Sequence, residues 1–128
     1  MLNNLLLIGL GGGLGSMARY LCQRWFAAVY SHSFPWGTFA VNLTGCLLIG
    51  VFWGITYRSF DSNEQWKLFL MTGICGGFTT FSAFSMETLS MLGSGRFGIA
   101  ATYILLSLAG AIGGAAIGIW LARVGAVT

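Results

Sequence analysis

Charge is the scarcest property of this chain. Nine of its 128 residues are charged, six basic and three acidic, or 7%, where a water-soluble domain carries about 25%. So little polar surface cannot coat a soluble domain, and the net charge of +3 is too small to argue for a polyanion partner. Histidine occurs once, at His32. With no second ligand it makes neither a metal centre nor a proton relay, and in the connector 30–35 it reads as a solvated loop residue. One histidine and three acids, Asp61, Glu64 and Glu87, assemble no catalytic set with a serine, so an enzyme is not expected. The three cysteines, Cys22, Cys46 and Cys75, lie in separate apolar stretches without paired spacing. They read as small buried hydrophobes rather than a disulfide framework.

What is present is apolar bulk and glycine: 56% hydrophobic residues and 20 glycines. A spanning helix takes about 20 apolar residues, which predicts one all-α membrane domain over 1–128. Its four spans cover about 3–29, 36–57, 67–92 and 97–122. The N-terminal apolar stretch has no basic start and runs on to Arg19, so it is expected to stay as the first span. Gly9 to Gly13 and Gly11 to Gly15 repeat at four-residue spacing, and 109–116 is another run of small residues. Both patterns predict close helix contact. Arg58, Lys67 and Arg123 fall on one side of a four-span topology and Arg24 and Arg96 on the other, so the positive-inside rule barely orients the chain. Balanced charge permits insertion both ways round, and two opposed copies can then pair about a two-fold axis in the membrane plane.

Two spans carry polar residues that apolar packing does not call for. Asn42 sits inside the second, where its carboxamide must find partners. The third reads Gly76-Gly77-Phe78-Thr79-Thr80-Phe81-Ser82-Ala83-Phe84-Ser85-Met86-Glu87-Thr88. Paired glycines followed by paired threonines predict a helix stop and a new start, hence a third helix broken in mid-membrane. Such a break must be buried in protein or line an aqueous cavity. The plainer alternative is a packing kink. Phe81 and Phe84 share one face, and Ser82 and Ser85 an adjacent one. They either line a pathway or, more simply, fill core and bond back to the preceding turn. Glu87 is costly at this depth, by roughly 2.5 kcal/mol or more on insertion scales, and is a functional candidate by default. Alone it suggests a cation or proton route, but the hydroxyls of Thr79, Thr80, Ser82, Ser85, Thr88, Tyr103 and Ser107 and the Asn42 amide are donors suited to an anion. Arg19 either pairs with a carboxylate or carbonyls or raises anion concentration at a vestibule.

At these residues the chain resembles the Fluc (CrcB) family of fluoride channels along nearly its whole length. The resemblance rests on Gly11-Gly12-Gly13-Leu14-Gly15 followed by Arg19, on Gly37-Thr38 with Val41-Asn42-Leu43 and Gly45, and above all on residues 76–85 with Glu87. It implies a dual-topology antiparallel homodimer in the bacterial inner membrane. Through its two pores fluoride, preferred over chloride, would leave the cytoplasm passively. It also implies roles for particular residues. Phe81 and Phe84 match the pore phenylalanines and Asn42 the pore asparagine, with Ser82, Ser85, Glu87, Thr88, Tyr103 and Ser107 along the polar track. The carbonyls of Gly76 and Thr79 match those holding a structural sodium ion between the subunits. Ala83 and Ala111 depart from the pattern, each removing a hydroxyl found in relatives. The competing reading is a small proton-coupled multidrug or cation exporter using Glu87 as its proton carrier; a purely adhesive membrane subunit would leave Asn42 and Glu87 unexplained.

Overall fold

The computed structural model describes residues 1–30, 33–58 and 64–125, the side chains of Tyr57 and Arg58 excepted. The loop expectation for His32 and most of the acidic loop after residue 58, Asp61 included, lie outside the described residues. Helix α1 covers Leu2–Val29 and α2 Trp36–Arg58. Helix α3, residues 64–78, runs through Glu64–Lys67, a π-helical stretch Leu68–Cys75 and a last short turn Gly76–Phe78. Helix α4 covers Phe81–Gly93 and α5 Phe97–Val124. Four stretches are long and apolar enough to cross a membrane: Leu2–Val29, Trp36–Thr56, Glu64–Gly93 and Phe97–Val124. The third contains both α3 and α4 and starts at Glu64, three residues before the expected Lys67. Large apolar side chains such as Leu5, Leu10, Trp53, Leu105 and Ile112 are exposed, as lipid-facing residues are.

Glycine sets which helices touch. Of the two glycine stripes expected on α1, only Gly11 and Gly15 are buried. A Cβ on Gly15 would run into the Ile74 carbonyl oxygen and lie 2.8 Å from the Phe78 nitrogen, whereas Gly9 and Gly13 have nothing within 4 Å. Between α2 and α5, Gly50 lies against the Ala115 carbonyl and Gly118 against that of Leu47. Close backbone approach of this kind is how helices associate where apolar burial offers no advantage over lipid.

Between α3 and α4 the backbone leaves the helical region at two residues. Thr79 has φ −77° and ψ 155°, and Thr80 φ −148° and ψ 112°. The glycines do not end the helix, contrary to the stop expected from their pairing. Gly76 is ordinary right-handed helix at φ −64° and ψ −39°, and Gly95 is the one described glycine with positive φ. Gly77 instead lets α3 lie against the Gly12 backbone. The threonine start has the expected cap: the Thr80 hydroxyl accepts the Ala83 N–H at 3.2 Å, satisfying one of the donors a helix start leaves open.

Candidate functional site

The extended pair is held from α2. Asn42 Nδ2 donates to the Thr80 carbonyl at 3.0 Å, and the Thr80 N–H donates to Asn42 Oδ1 at 2.7 Å. One carboxamide thus pairs with both backbone groups of Thr80, as a neighbouring strand would. The Thr80 N–H would close on the Gly76 carbonyl in an uninterrupted helix, so that oxygen loses its usual partner. Gly76 is exposed on the surface of the single chain. The Thr79 carbonyl receives Arg19 Nη1 at 3.4 Å, and Ser16 Oγ donates to the Gly77 carbonyl at 3.3 Å. Arg19 therefore sits at the end of α3, on a carbonyl rather than a carboxylate.

Beside this junction lies a cavity of about 210 Å³ whose lining includes Asn42, Cys46, Phe81, Phe84, Ser107 and Ala111. Phe81 is 74% exposed and Phe84 only 9%, yet their ring centroids are 5.4 Å apart. The pair shares one helical face but spans the boundary between core and surface. Ser107 Oγ is buried and has no hydrogen-bond partner among the described residues. An orphaned hydroxyl in such a cavity suits a group that accepts a hydrogen bond. Ala111 lines the same cavity, one turn further along α5, and offers it only a methyl group.

Glu87 is bonded at both carboxyl oxygens. Thr38 Oγ1 donates to Oε1 at 2.6 Å and Tyr103 Oη to Oε2 at 2.7 Å, lengths typical of charge-assisted O–H donors. Gln23 Nε2 donates to Thr38 Oγ1 at 3.1 Å. Gln23 stands on α1, Thr38 on α2, Glu87 on α4 and Tyr103 on α5, so one hydrogen-bonded chain crosses all four candidate spans. Thr38 is 2% and Tyr103 0% exposed. The Tyr103 ring also packs on Phe84 at 5.1 Å and Phe34 at 5.3 Å, linking the carboxylate to the phenylalanine pair. Gln23, Thr38 and Glu87 face a second, larger cavity of about 670 Å³, whose lining also includes Trp36 and Arg96.

The remaining expected residues divide. Ser82 Oγ lies 3.3 Å from the Thr80 hydroxyl. Ser85 bonds back one turn to the Phe81 carbonyl at 2.9 Å, the contact its plainer reading describes, and Thr88 bonds back to the Phe84 carbonyl at 2.7 Å. Two members of the chain, Gln23 and Thr38, carry no role in the sequence reading. Thr38 stands four residues before Asn42 and so on the same face of α2, and Gln23 is an amide within an apolar stretch, the criterion that singled out Asn42.

The family model described as CrcB-like protein, Camphor Resistance (CrcB), matches residues 6–119. The chain belongs to the CrcB family. The match takes in every residue of the Gln23 chain and of the Asn42–Thr80 junction. A relative in Leptospira interrogans serovar copenhageni named fluoride-specific ion channel FluC is 50% identical over 120 residues, 94% of either chain. Proteins of the same name in Phocaeicola vulgatus and Agrobacterium fabrum are 49% and 42% identical, over 95% and 94% of this chain and 100% and 96% of theirs. With four stretches able to span, this CrcB-family chain is a multi-pass membrane protein.

Proposed function

We infer that this chain is a fluoride-selective ion channel rather than an enzyme, and that it lets fluoride leave the cytoplasm passively across the bacterial inner membrane. The observation that carries the reading is the 50% identity, over nearly the full length of both proteins, to a relative named as a fluoride-specific channel. The site's chemistry supports it. The third span is interrupted at Thr79–Thr80 in mid-membrane, Asn42 secures the interruption, and Ser107 offers an unused hydroxyl to an anion in the adjoining cavity.

Two copies in opposite orientation enclose the interruption. That arrangement accounts for the exposed Phe81 beside a buried Phe84, because the outer ring then meets the other copy. Each of two pores is lined by Asn42, Phe81, Phe84 and Ser107, with Ser82, Ser85, Thr88 and the Glu87–Tyr103 pair along the approach, and Arg19 is a structural charge at the junction. The carbonyls of Gly76 and Thr79 would hold a sodium ion between the copies. Gly76 fits, being exposed and without its helical partner, and carbonyl oxygens suit a hard cation; the Thr79 carbonyl already carries the Arg19 guanidinium at 3.4 Å, which would have to share or release it. When bound, the ion would supply the positive charge that draws the two interrupted backbones together.

Permeation follows from donors. Fluoride exchanges hydration water for hydroxyl and amide donors and the positive ring edges of the phenylalanines. No lysine or arginine lines the cavity beside those rings, so the anion is not trapped. Fluoride enters a cell as hydrogen fluoride and dissociates in the more alkaline interior; its own gradient then drives it out. The proton-exporter alternative asks Glu87 to exchange protons with water, and both its oxygens are already occupied by hydroxyl donors. The test is ion efflux from liposomes holding the purified protein, followed with fluoride and chloride electrodes, with and without a proton gradient. Rapid fluoride efflux indifferent to that gradient is expected; strictly proton-driven flux would refute the reading.

A further inference from the structure

We propose that Gln23, a residue of the first helix outside both the phenylalanine pair and the junction, is a positioning residue that fixes the direction of the hydrogen-bonded chain ending at Glu87. The inference rests on the channel reading. Thr38 has one hydroxyl proton and three polar neighbours, the Gln23 amide, Glu87 Oε1 and the Tyr103 hydroxyl. Gln23 Nε2 can only donate, so Thr38 Oγ1 accepts from it at 3.1 Å, and the Thr38 proton turns to Glu87 Oε1 at 2.6 Å. The Tyr103 hydroxyl meets the other carboxyl oxygen at 2.7 Å, so the carboxylate is an acceptor at both ends. Were the amide reversed, its oxygen and Glu87 would compete for one proton. Gln23 therefore acts through Thr38, and it faces the larger cavity together with Thr38 and Glu87. Neither Thr38 nor Tyr103 has water to fall back on, being 2% and 0% exposed, so the order of donors along the chain is set by protein alone. Polarisation along the chain makes each bond stronger than it would be by itself.

Two substitutions of matched length separate this role from packing. Gln23→Met removes the donor, and Gln23→Glu replaces it with an acceptor that takes the Thr38 proton away from Glu87. In liposome efflux, Gln23→Met should slow fluoride roughly three- to tenfold, the range expected for one hydrogen bond in a coupled chain. In a Thr38→Val background the same change should cost less than about twofold, because the residue through which Gln23 works is gone. The second readout needs no conduction. With only three acidic side chains in the protein, the infrared bands of Glu87 can be isolated in each background, wild type or Gln23→Glu, as the difference from the same background carrying Glu87→Gln. Gln23→Glu should shift those bands or bring up a protonated-carboxyl band. A protein that passes no fluoride yet shows this shift would overturn the channel reading and support the positioning role. Glu87 bands indifferent to both substitutions, or losses of flux that simply multiply in the double variant, would overturn the positioning role.

Discussion

Asn42 and Thr80 pair through two hydrogen bonds, at 3.0 and 2.7 Å, between one side-chain amide and one residue's backbone. That pairing compensates the break in the third span locally, since the backbone groups of Thr80 would otherwise be unpaired in an apolar setting. It also gives Asn42 a structural duty in addition to any contact with an ion.

Replacing Asn42 therefore has two consequences. Asn42→Leu strands both backbone groups of Thr80 and should destabilise the protein by about 2–6 kcal/mol, at 1–3 kcal/mol for each unpaired group. Asn42→Asp keeps the acceptor but sets a carboxylate oxygen against the Thr80 carbonyl. It should abolish most fluoride flux with a smaller loss of stability. Denaturation in detergent and liposome efflux on the same preparations check the pair.

The two phenylalanines should separate flux from stability. Phe81 is largely exposed in the single chain and Phe84 is core. Phe84→Ile should lower stability by about 1–3 kcal/mol through lost packing against Tyr103. Phe81→Ile should leave the folded chain within about 0.5 kcal/mol of wild type while strongly reducing fluoride efflux. Equal stability losses in the two variants would contradict the placement of Phe81 at the outer boundary.

Glycine spacing on α1 makes a sharp contrast. Gly15→Ala places a methyl group against the Ile74 carbonyl and Gly77 backbone, while Gly13→Ala meets open space. Overpacking of a rigid backbone contact typically costs about 1–3 kcal/mol. Removing an unneeded helical glycine is worth about 0.5–1 kcal/mol in the other direction. Thermal unfolding should accordingly fall for Gly15→Ala and hold or rise for Gly13→Ala.

Thr38→Val and Tyr103→Phe each remove one of the two donors to Glu87. Each should cost about 1–3 kcal/mol, the price of leaving a polar oxygen without its partner. Combined with Glu87→Gln, either loss should shrink, since the two changes share one interaction; unfolding of the single and double variants measures this directly.

Much of this organisation was legible in the residues. Low charge and apolar length gave the four spans, and the Thr79-Thr80 pair after two glycines marked the two residues whose backbone is extended. The glycines misled as to mechanism: Gly76 and Gly77 are helical, and their value is approach to α1, because backbone contact between distant segments leaves no local signature distinct from a helix stop. The π-helical stretch over Leu68–Cys75 was not legible at all, as no residue pattern separates i→i+5 from i→i+4 bonding. Asn42 and Glu87 stood out as polar groups in apolar helices. Tyr103 was among the expected donors, but Thr38 and Gln23 were not, because they pass as ordinary helix residues until the fold brings the helices together at one carboxylate.

The most direct test of fluoride conduction is the reversal potential of the purified protein in a planar bilayer, with opposed fluoride and chloride gradients and equal pH on both sides. Current reversing at the fluoride equilibrium potential, unmoved when pH is later changed on one side, is the result expected. Reversal that follows chloride, or that shifts with the proton gradient, would contradict it.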